Sequence, residues 1–260
     1  MSANPQANIP ASDETVVLRE SFAGNGRRVP TGNGWNWIAA AWPIFRREAG
    51  LWIGVTLAVI AIYCVLLMLY SLWPLIGIGL AVLLWPIFTA GVVLMSRTID
   101  QGGDARFKQL FAGFSHGIGA LIAIGLVYLV ANLVITGGVF WLLGVDMSMV
   151  AMPADPTTAM MLAYKLALAA LIALALILPF VMAVWFAPAL VTFHEMGPIE
   201  AMKQSFLACL KNVLPFLLYG VILFIAGVIA SIPFLLGWLI LGPVMAVSIY
   251  TAYRDIYFAE

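Results

Sequence analysis

The sequence predicts an all-α fold: a polytopic membrane bundle of six transmembrane helices arranged as three hairpins, with short cytoplasmic interfacial helices. Three observations predict it. The chain is 64% hydrophobic and 9% charged, whereas soluble domains are about 45–50% apolar and about 25% charged. Six apolar runs are long enough to cross a bilayer. The basic residues gather on one side of those runs.

The first 33 residues differ from the remainder of the chain because they are polar and rich in Pro, Gly and small residues. Such a segment cannot bury enough apolar surface to offset the entropy lost on ordering. We therefore predict a disordered cytoplasmic tail over 1–33 and a six-span membrane domain over 34–258.

Each of the six apolar runs offers the roughly 20 residues that a helix needs to cross about 30 Å of hydrocarbon. The predicted spans are 51–70, 73–95, 117–143, 160–187, 213–230 and 233–253. Very short linkers join the first two spans and the last two, which predicts tight hairpins. Pro74 and Pro233 suit the first turn of a helix, where an N–H has no intrahelical partner. Asp155, followed by Pro156, predicts the N-cap of the fourth span.

The distribution of Lys and Arg predicts the orientation. Eleven of the twelve lie before span one, between spans two and three, between spans four and five, or after span six. The exception is Lys165, near the outer end of span four. By the positive-inside rule, both termini face the cytoplasm.

A threefold pattern is superimposed on the spans. Three segments share an apolar anchor, a polar pair and then a Gly or Pro before an apolar run; they are 40–54, 109–123 and 205–219. This predicts three copies of a unit made of one interfacial helix and two spans. The copies would cover approximately 35–100, 104–197 and 198–255.

The interfacial helices are predicted from helical periodicity of apolar residues. One such stripe is Phe107, Leu110, Phe111 and Phe114, and a similar one is Ile199, Met202, Phe206 and Leu210. Each apolar face would enter the acyl boundary while the charges face the headgroups. Pro43 is expected to break or kink the first helix. The predicted interfacial anchors are Trp35, Trp37, Trp42, Arg46, Arg47, Trp52, Arg106, Lys108, Lys203 and Lys211.

Three polar residues inside the predicted spans are candidates for intramembrane contacts: Asn132, Thr136 and Lys165. A buried Asn commonly bonds to a neighbouring helix, and lining a permeation path is the alternative for Asn132. Lys165 can extend its ammonium to the outer interface, and a substrate contact is its alternative.

His116, His194 and Glu195 form a polar cluster near the headgroup level. A zinc-protease HExxH motif would need a second histidine at position 198, which is Pro198. Polar residues that cap helices explain the cluster better than a metal site, because its spacing matches no known ligand set. The sequence therefore predicts no catalytic residue, no metal and no cofactor.

The stretches "GWNWIAAAWPIFRREAGLWIG", "FAPALVTFHEMGPIEAMKQSFLACLKNVLPFL" and "GPVMAVSIYTAYRDIYF" resemble a family of uncharacterised six-span proteobacterial inner-membrane proteins. The resemblance covers about 34–258. The phrase P-x-E-A-x-x-x-S at 198–205 and the phrase A-Y-R-D at 252–255 are more distantly similar to the membrane domain of some glycerophosphodiester phosphodiesterases, where that domain is the non-catalytic partner. The resemblance implies a multi-pass, six-span protein of the bacterial inner (plasma) membrane, and it leaves the activity of the protein open.

The absence of catalytic motifs favours a non-enzymatic integral membrane protein that acts as a scaffold, assembly or envelope-homeostasis factor. Its partners would be lipids, with anionic headgroups on the cytoplasmic side, and other membrane proteins. Zero net charge predicts no nucleic-acid partner. One alternative is a transporter or channel for a small or amphipathic substrate, suggested by Pro86, Pro188 and Pro243 in corresponding spans. The least favoured is a lipid-modifying enzyme that uses His116 and His194.

Overall fold

The computed structural model describes residues 22–115, 117–145 and 155–258. Within these residues the chain forms nine α-helices and one 3-10 helix. The α-helices are α1 (Asn33–Arg47), α2 (Ala49–Leu72), α3 (Pro74–Asp100), α4 (Ile118–Leu142), α5 (Pro156–Trp185), α6 (Ala187–His194), α7 (Pro198–Lys211), α8 (Val213–Ser231) and α9 (Trp238–Tyr257). The 3-10 helix, Phe107–Phe114, lies between α3 and α4.

The prediction of a helical membrane bundle is confirmed. Five helical segments are long and apolar enough to cross a bilayer, namely α2, α3, α4, the α5–α6 pair and α8. They coincide with the first five predicted spans. The sixth predicted run corresponds to α9, which begins only at Trp238 and is less apolar because it carries Ser, Thr and Tyr residues together with Arg254 and Asp255. Before it, Phe234 and Leu235 adopt positive φ in a turn, so the helix cannot start where the sequence predicts.

Helix starts follow the local chemistry. Pro74 and Pro156 both stand in the first turn of their helices, as predicted. The carboxylate of Asp155 accepts the backbone N–H groups of Thr157 and Thr158, both at 2.9 Å. The hydrogen bonds from Thr158 hold the pKa of Asp155 below its usual value. The predicted N-cap of the fourth span is therefore present.

Two further local predictions are not met in full. Helix α1 continues through Pro43 to Arg47, so the break that was one of the two expected effects of this proline is absent. The segment Phe107–Phe114 is a 3-10 helix, whereas its apolar spacing predicts an α-helix. The reason in the second case is tertiary packing. Gly91 of α3 and Gly113 bring the two backbones so close that the tighter coil fits against α3.

Helix α3 is the central element of the bundle. In its most apolar stretch 50% of the residues are buried, against 17% to 22% in the other candidate spans. It packs against α2, α4, α9 and the 3-10 helix. The largest fully buried side chains include Trp37, Trp52, Tyr257 and Phe186, whereas apolar side chains near the opposite helix ends, such as Trp141, are exposed. Packing is therefore concentrated where the charged residues lie, and lipid must solvate the other exposed apolar surface.

Candidate functional site

Polar contacts tie together one end of the bundle, which we term the charged end: residues 22–32, helices α1 and α7, the 3-10 helix, and the C-terminal ends of α3, α6 and α9. The guanidinium of Arg47 donates to the carbonyl oxygens of Ile99 and Gly102, at 3.2 and 3.1 Å. Asp100, at the end of α3, forms an ion pair with Arg254 of α9. Asp100 also accepts the hydroxyl of Tyr250 at 2.9 Å. These contacts fix the end of α3 between α1 and α9.

Asp255 is the hub of the charged end. Its carboxylate accepts hydrogen bonds from the Arg27 guanidinium at 3.0 Å, the Asn33 amide at 2.7 Å and the Trp37 indole at 2.7 Å. Its backbone carbonyl accepts a further bond from Arg27 Nε at 2.7 Å. The last two residues of the A-Y-R-D phrase, Arg254 and Asp255, thus hold α3, α1 and the N-terminal segment against α9.

Residues 22–32, which we term the strap, lie within the segment expected to be disordered, yet they pack on the charged end. The backbone N–H groups of Ala23 and Arg27 donate to Tyr257 and Ile256 carbonyls, both at 2.8 Å. The ring of Phe22 packs against the ring of His194, with 3.8 Å between centroids and a tilt of 32° between the planes. The predicted tail therefore differs from the structure at its C-terminal part, and residues 1–21 lie outside the described range.

The fully buried side chain of Asn212 holds the strap at its middle. Its Oδ1 accepts the Val29 N–H at 2.9 Å, and its Nδ2 donates to the carbonyls of Arg27 and Ala208 at 2.8 and 2.9 Å. Gly26, at φ 65°, packs where an added Cβ would approach the Ala208 Cβ to 2.7 Å. The left-handed backbone and this close contact both require glycine. The threefold pattern included Asn212 only as a member of a polar pair, and no pattern pointed to Gly26. The contacts that join both residues across the strap and α7 link positions more than 180 residues apart.

The long fourth span is broken at Phe186, between α5 and α6. Pro188 has no N–H to continue the helical ladder, and its ring crowds the preceding turn. The hydroxyl of Ser205 on α7 enters the gap: it accepts the N–H of Phe186 at 2.9 Å and donates to the carbonyl of Met182 at 2.7 Å. The serine of the P-x-E-A-x-x-x-S phrase therefore replaces one backbone hydrogen bond of the broken helix.

We expect Ser205→Ala to lower the free energy of unfolding by about 2–3 kcal/mol, because it leaves the buried N–H of Phe186 and the half-buried carbonyl of Met182 without this partner. The matched control is Ser71→Ala, whose exposed hydroxyl bonds only to Met68 of its own helix; its effect should stay within about 0.5 kcal/mol. Unfolding in detergent, followed by far-ultraviolet circular dichroism, measures both. Equal stability of the two variants would refute the bridging role of Ser205.

The structure describes two of the three residues of the predicted polar cluster. His194 is half-buried, and its Nε2 lies 2.6 Å from the hydroxyl of Tyr253, while Glu195 is exposed at the C-cap of α6. His116 lies outside the described residues. In the described part of the chain, no group of three or more His, Cys, Asp and Glu residues is placed to hold a metal ion. Burial raises the pKa of the Cys209 thiol on α7 to about 12, so this cysteine stays protonated at neutral pH.

Several predicted anchors lie on the outside of the charged end, on α1, the 3-10 helix and α7. We call this group the interfacial surface: Trp35, Trp42, Arg46, Arg106, Phe107, Lys108, Phe111, Phe114, Ile199 and Lys203, all exposed. The 3-10 helix runs back along α3, since Leu110 touches Gly91 and Phe111 packs edge-to-face on Phe88. Arg106 and Lys108 therefore lie nearer the charged end than Phe111 and Phe114, along the direction from that end toward the middle of α3.

Four predicted anchors have other positions or partners. Trp37 and Trp52 are only 2% and 1% exposed, so they pack inside the protein rather than against headgroups. Trp37 is buried because Asp255 binds its indole and the rings of Phe216 and Tyr219 cover it. Arg47 is bound to the end of α3, and the ammonium of Lys211 donates to the strap carbonyls of Asn25 and Gly26, both at 3.0 Å.

The polar residues inside the spans lie away from the charged end. The Lys165 ammonium donates to the carbonyl of Gly144 at 3.1 Å, at the opposite end of the bundle. Asn132 and Thr136 of α4 are half-buried. Neither of their side chains forms a hydrogen bond with another residue in the described ranges, so their intramembrane contacts remain predictions.

Two adjoining cavities, of about 330 and about 370 Å³, lie between the candidate spans beneath the charged end. They share three wall residues, Tyr63, Trp85 and Trp185. The walls are overwhelmingly apolar, and the partly exposed Trp85 and Ile60 place an opening on the side of the bundle. No sequence motif predicted these cavities, because their walls come from several helices that are distant along the chain.

A protein of Burkholderia thailandensis, described as a probable inner membrane protein, is 32% identical to this chain over 173 residues. The match covers 62% of this chain and 63% of the relative, which is less than two thirds of its length. No protein-family profile and no solved structure matches the chain. This similarity and the five apolar helices support a multi-pass inner-membrane protein. They give no support to the distant similarity to glycerophosphodiester phosphodiesterase membrane domains.

Proposed function

We propose that this protein is a non-enzymatic inner-membrane scaffold, assembly or envelope-homeostasis factor that contacts anionic lipid headgroups through its interfacial surface. In this proposal the chain crosses the bilayer six times, as three hairpins, with both termini in the cytoplasm. The observation that carries the proposal is the interfacial surface itself, where exposed basic residues and exposed aromatic rings lie together at the charged end.

The chemistry of that surface suits an anionic leaflet. Arg46, Arg106 and Lys108 have no carboxylate partner within the described residues, and Lys203 has only a long 3.9 Å contact with Glu200. Exposed basic groups next to a membrane contribute about 1 kcal/mol each toward anionic lipid. Exposed Trp and Phe side chains bury favourably at the boundary between headgroups and acyl chains. Charge and apolar contact therefore act on the same leaflet.

Six crossings are supported by the contact between the two ends of the described chain. The strap bonds to the last turns of α9 through Ala23, Arg27 and Asp255. Two chain ends that touch outside the hydrocarbon lie on the same side, which requires an even number of crossings. Adding α9 to the five candidate spans gives that number. A fusion of alkaline phosphatase to the C-terminus should be inactive in cells, and an active fusion would refute the orientation.

Lipid enrichment tests the functional proposal. The full chain, solubilised in mixed micelles of phosphatidylglycerol and phosphatidylcholine and then repurified, should carry excess phosphatidylglycerol by mass spectrometry. Replacing Arg46, Arg106, Lys108 and Lys203 with Gln should reduce that excess several-fold, since each charge contributes about 1 kcal/mol. Lys165→Gln, at the opposite end, should leave it unchanged. Undiminished enrichment in the fourfold variant would rule out the interfacial surface as the lipid contact.

A further inference from the structure

A third cavity, of about 420 Å³, lies at the charged end among the C-terminal ends of α3, α6 and α9. Its wall differs from those of the two apolar cavities, because it contains two guanidinium groups, a carboxylate and a side-chain amide as well as aromatic rings. The charged and amide residues are Arg97, Asp100, Gln101 and Arg254. The interfacial surface includes none of the wall residues, so the cavity is a separate feature of the charged end.

Most polar groups of this wall bond to one another. Asp100 forms the ion pair with Arg254 and accepts the hydroxyl of Tyr250 at 2.9 Å. His194 and Tyr253 are paired through the 2.6 Å contact between Nε2 and the hydroxyl oxygen. The first set of contacts joins α3 to α9 and the second joins α6 to α9. The wall is therefore held in place without a ligand.

Arg97 and Gln101 are the exceptions. They lie one helical turn apart at the end of α3, and both are exposed. Neither side chain forms a hydrogen bond or an ion pair with another residue of the described ranges. The guanidinium of Arg97 lies over the ring of Phe193, with 5.0 Å between its Cζ atom and the ring centroid. This cation–π contact uses none of the N–H groups as hydrogen-bond donors, so both side chains can donate to one ligand in the cavity.

The charged side chains of the wall favour an anion. Asp100 is neutralised by Arg254, whereas Arg97 has no carboxylate partner in the described part of the chain. Glu195, the acidic residue that follows His194, does not line the cavity. A cavity with an excess of one sign of charge concentrates ligands of the opposite sign. The wall therefore attracts a negatively charged group.

The helix ends around the cavity could oppose an anion, because a helix C-terminus carries partial negative charge. Two other guanidinium groups offset this charge. Arg47 donates to the carbonyl oxygen of Ile99 near the end of α3 at 3.2 Å, and Arg27 Nε donates to that of Asp255 near the end of α9 at 2.7 Å. Backbone N–H groups of the strap donate to the last carbonyls of α9. The charge of Arg97 therefore remains available to a ligand.

A phosphate monoester matches these features better than a carboxylate does. It carries a charge of about −1.5 to −2 at pH 7 and three acceptor oxygens. It can accept two parallel hydrogen bonds from Arg97 and a further bond from the Gln101 amide. The cavity volume is within the range of about 300–1,000 Å³ of ligand pockets. It holds an organic group besides the phosphate, and the rings of Phe193 and Phe258 give that group apolar surface.

We propose that this cavity binds the phosphate group of a phosphate monoester, with the guanidinium of Arg97 and the amide of Gln101 as hydrogen-bond donors. The ester is either a water-soluble molecule or a lipid headgroup at the membrane surface, and the phosphate chemistry is the same for both. The site is separate from the interfacial surface and does not depend on the function proposed for it.

Two probes with the same phosphomonoester group test the site. Purified full chain in an uncharged detergent is titrated with phenyl phosphate, which is soluble in water, and with dioctanoyl phosphatidic acid, which enters the micelle. Isothermal titration calorimetry measures both. We expect saturable binding of one molecule per chain for at least one probe. Benzoate, which offers a single charge and two oxygens, should bind more weakly.

Variants of the two donors identify the cavity as the site. Arg97→Gln should weaken binding by about tenfold or more, because hydrogen bonds to charged groups are the stronger ones. Gln101→Glu keeps the shape of the side chain but places a negative charge on the wall, and it should abolish detectable binding. The matched control, Arg46→Gln, removes one charge from the exposed face of α1; it should leave the affinity within about twofold of wild type. Thermal unfolding confirms that each variant folds.

The two probes distinguish the sources of the phosphate. Weaker binding of phenyl phosphate by Arg97→Gln identifies a water-soluble ester, whereas an effect confined to phosphatidic acid identifies a lipid headgroup. The fourfold Gln variant of the interfacial surface should still bind, so failure of the proposed function and failure of this site are separable. Unchanged affinities of Arg97→Gln for both probes would overturn the proposal. The absence of saturable binding of either probe, or Arg97-dependent binding of benzoate that is tighter than that of both probes, would also overturn it.

Discussion

Asp255→Ala should be among the most destabilising single substitutions at the charged end, lowering the free energy of unfolding by about 3 kcal/mol. The change removes the acceptor of the buried Trp37 indole, and an orphaned buried donor alone costs about 1–3 kcal/mol. It also removes the carboxylate partner of the Arg27 guanidinium, whose bond to the backbone carbonyl of residue 255 remains, and the acceptor of the Asn33 amide. Those two groups are partly exposed and contribute less, since water replaces the lost partner.

The release of the strap gives this prediction a second measurement. Trypsin should cut after Arg27 and Arg28 several-fold faster in Asp255→Ala, because the strap loses its main side-chain contact with α9. Asp255→Asn keeps one side-chain oxygen as an acceptor. Its free energy of unfolding and its cleavage rate should therefore lie between those of the wild type and of the alanine variant. Glu200→Ala, an exposed carboxylate on α7, should remain within about 0.5 kcal/mol of wild type. If Asp255→Ala were as stable as the wild type and were cut by trypsin at the same rate, the role of Asp255 as the hub would be disproved.

Gly91→Ala should have a similarly large effect for a different physical reason. A Cβ at this position would lie 2.1 Å from the carbonyl oxygen of Leu110 and 2.7 Å from that of Gln109. Both atoms belong to the backbone, so no side-chain rotation can relieve the clash, and α3 and the 3-10 helix must separate. Overpacking of this kind typically costs about 1–3 kcal/mol, and we expect the upper end of that range.

Hydrogen exchange localises the effect of Gly91→Ala. Amides of Phe107–Phe114 should exchange faster, while those of α4 should not. The control is Gly137→Ala in the last third of α4, where an added Cβ meets nothing within 4 Å. That variant should be stabilised by about 0.5–1 kcal/mol, because alanine favours the helix more than glycine does. If Gly91→Ala and Gly137→Ala changed the stability in the same direction, the close backbone contact at Gly91 would not explain the effect.

The span-forming helices were predictable because their signals are local. Apolar length identified five of them, and Pro74, Pro156 and Asp155 marked helix starts through their own backbone chemistry. The same locality explains the failures. Apolar periodicity at 107–114 cannot reveal that Gly91 offers a backbone-to-backbone contact, and Pro43 alone cannot show that α1 packs on α8 and α9 and stays helical.

The candidate sites were less predictable because they depend on partners that are distant along the chain. A tryptophan near an arginine pair is typical of a membrane interface, and Trp35 and Trp42 are indeed exposed at the charged end. Trp37 has the same sequence context, but Asp255, 218 positions away, binds its indole inside the protein. The strap was expected to lack structure because its own composition cannot bury enough surface, yet Asn212 supplies the missing hydrogen bonds.

The sequence by itself determined that lipid solvates this chain, which segments are apolar helices, and that the basic residues fall into a few short segments. Each of these three properties follows from composition or from helical periodicity, and both can be read from a single stretch of the chain. Only the tertiary structure decided which tryptophans are exposed and which pack inside the protein, and that Ser205 bridges a broken helix. Those features arise from side chains that approach one another across helices, and the free energy of such contacts depends on distances that no local pattern records.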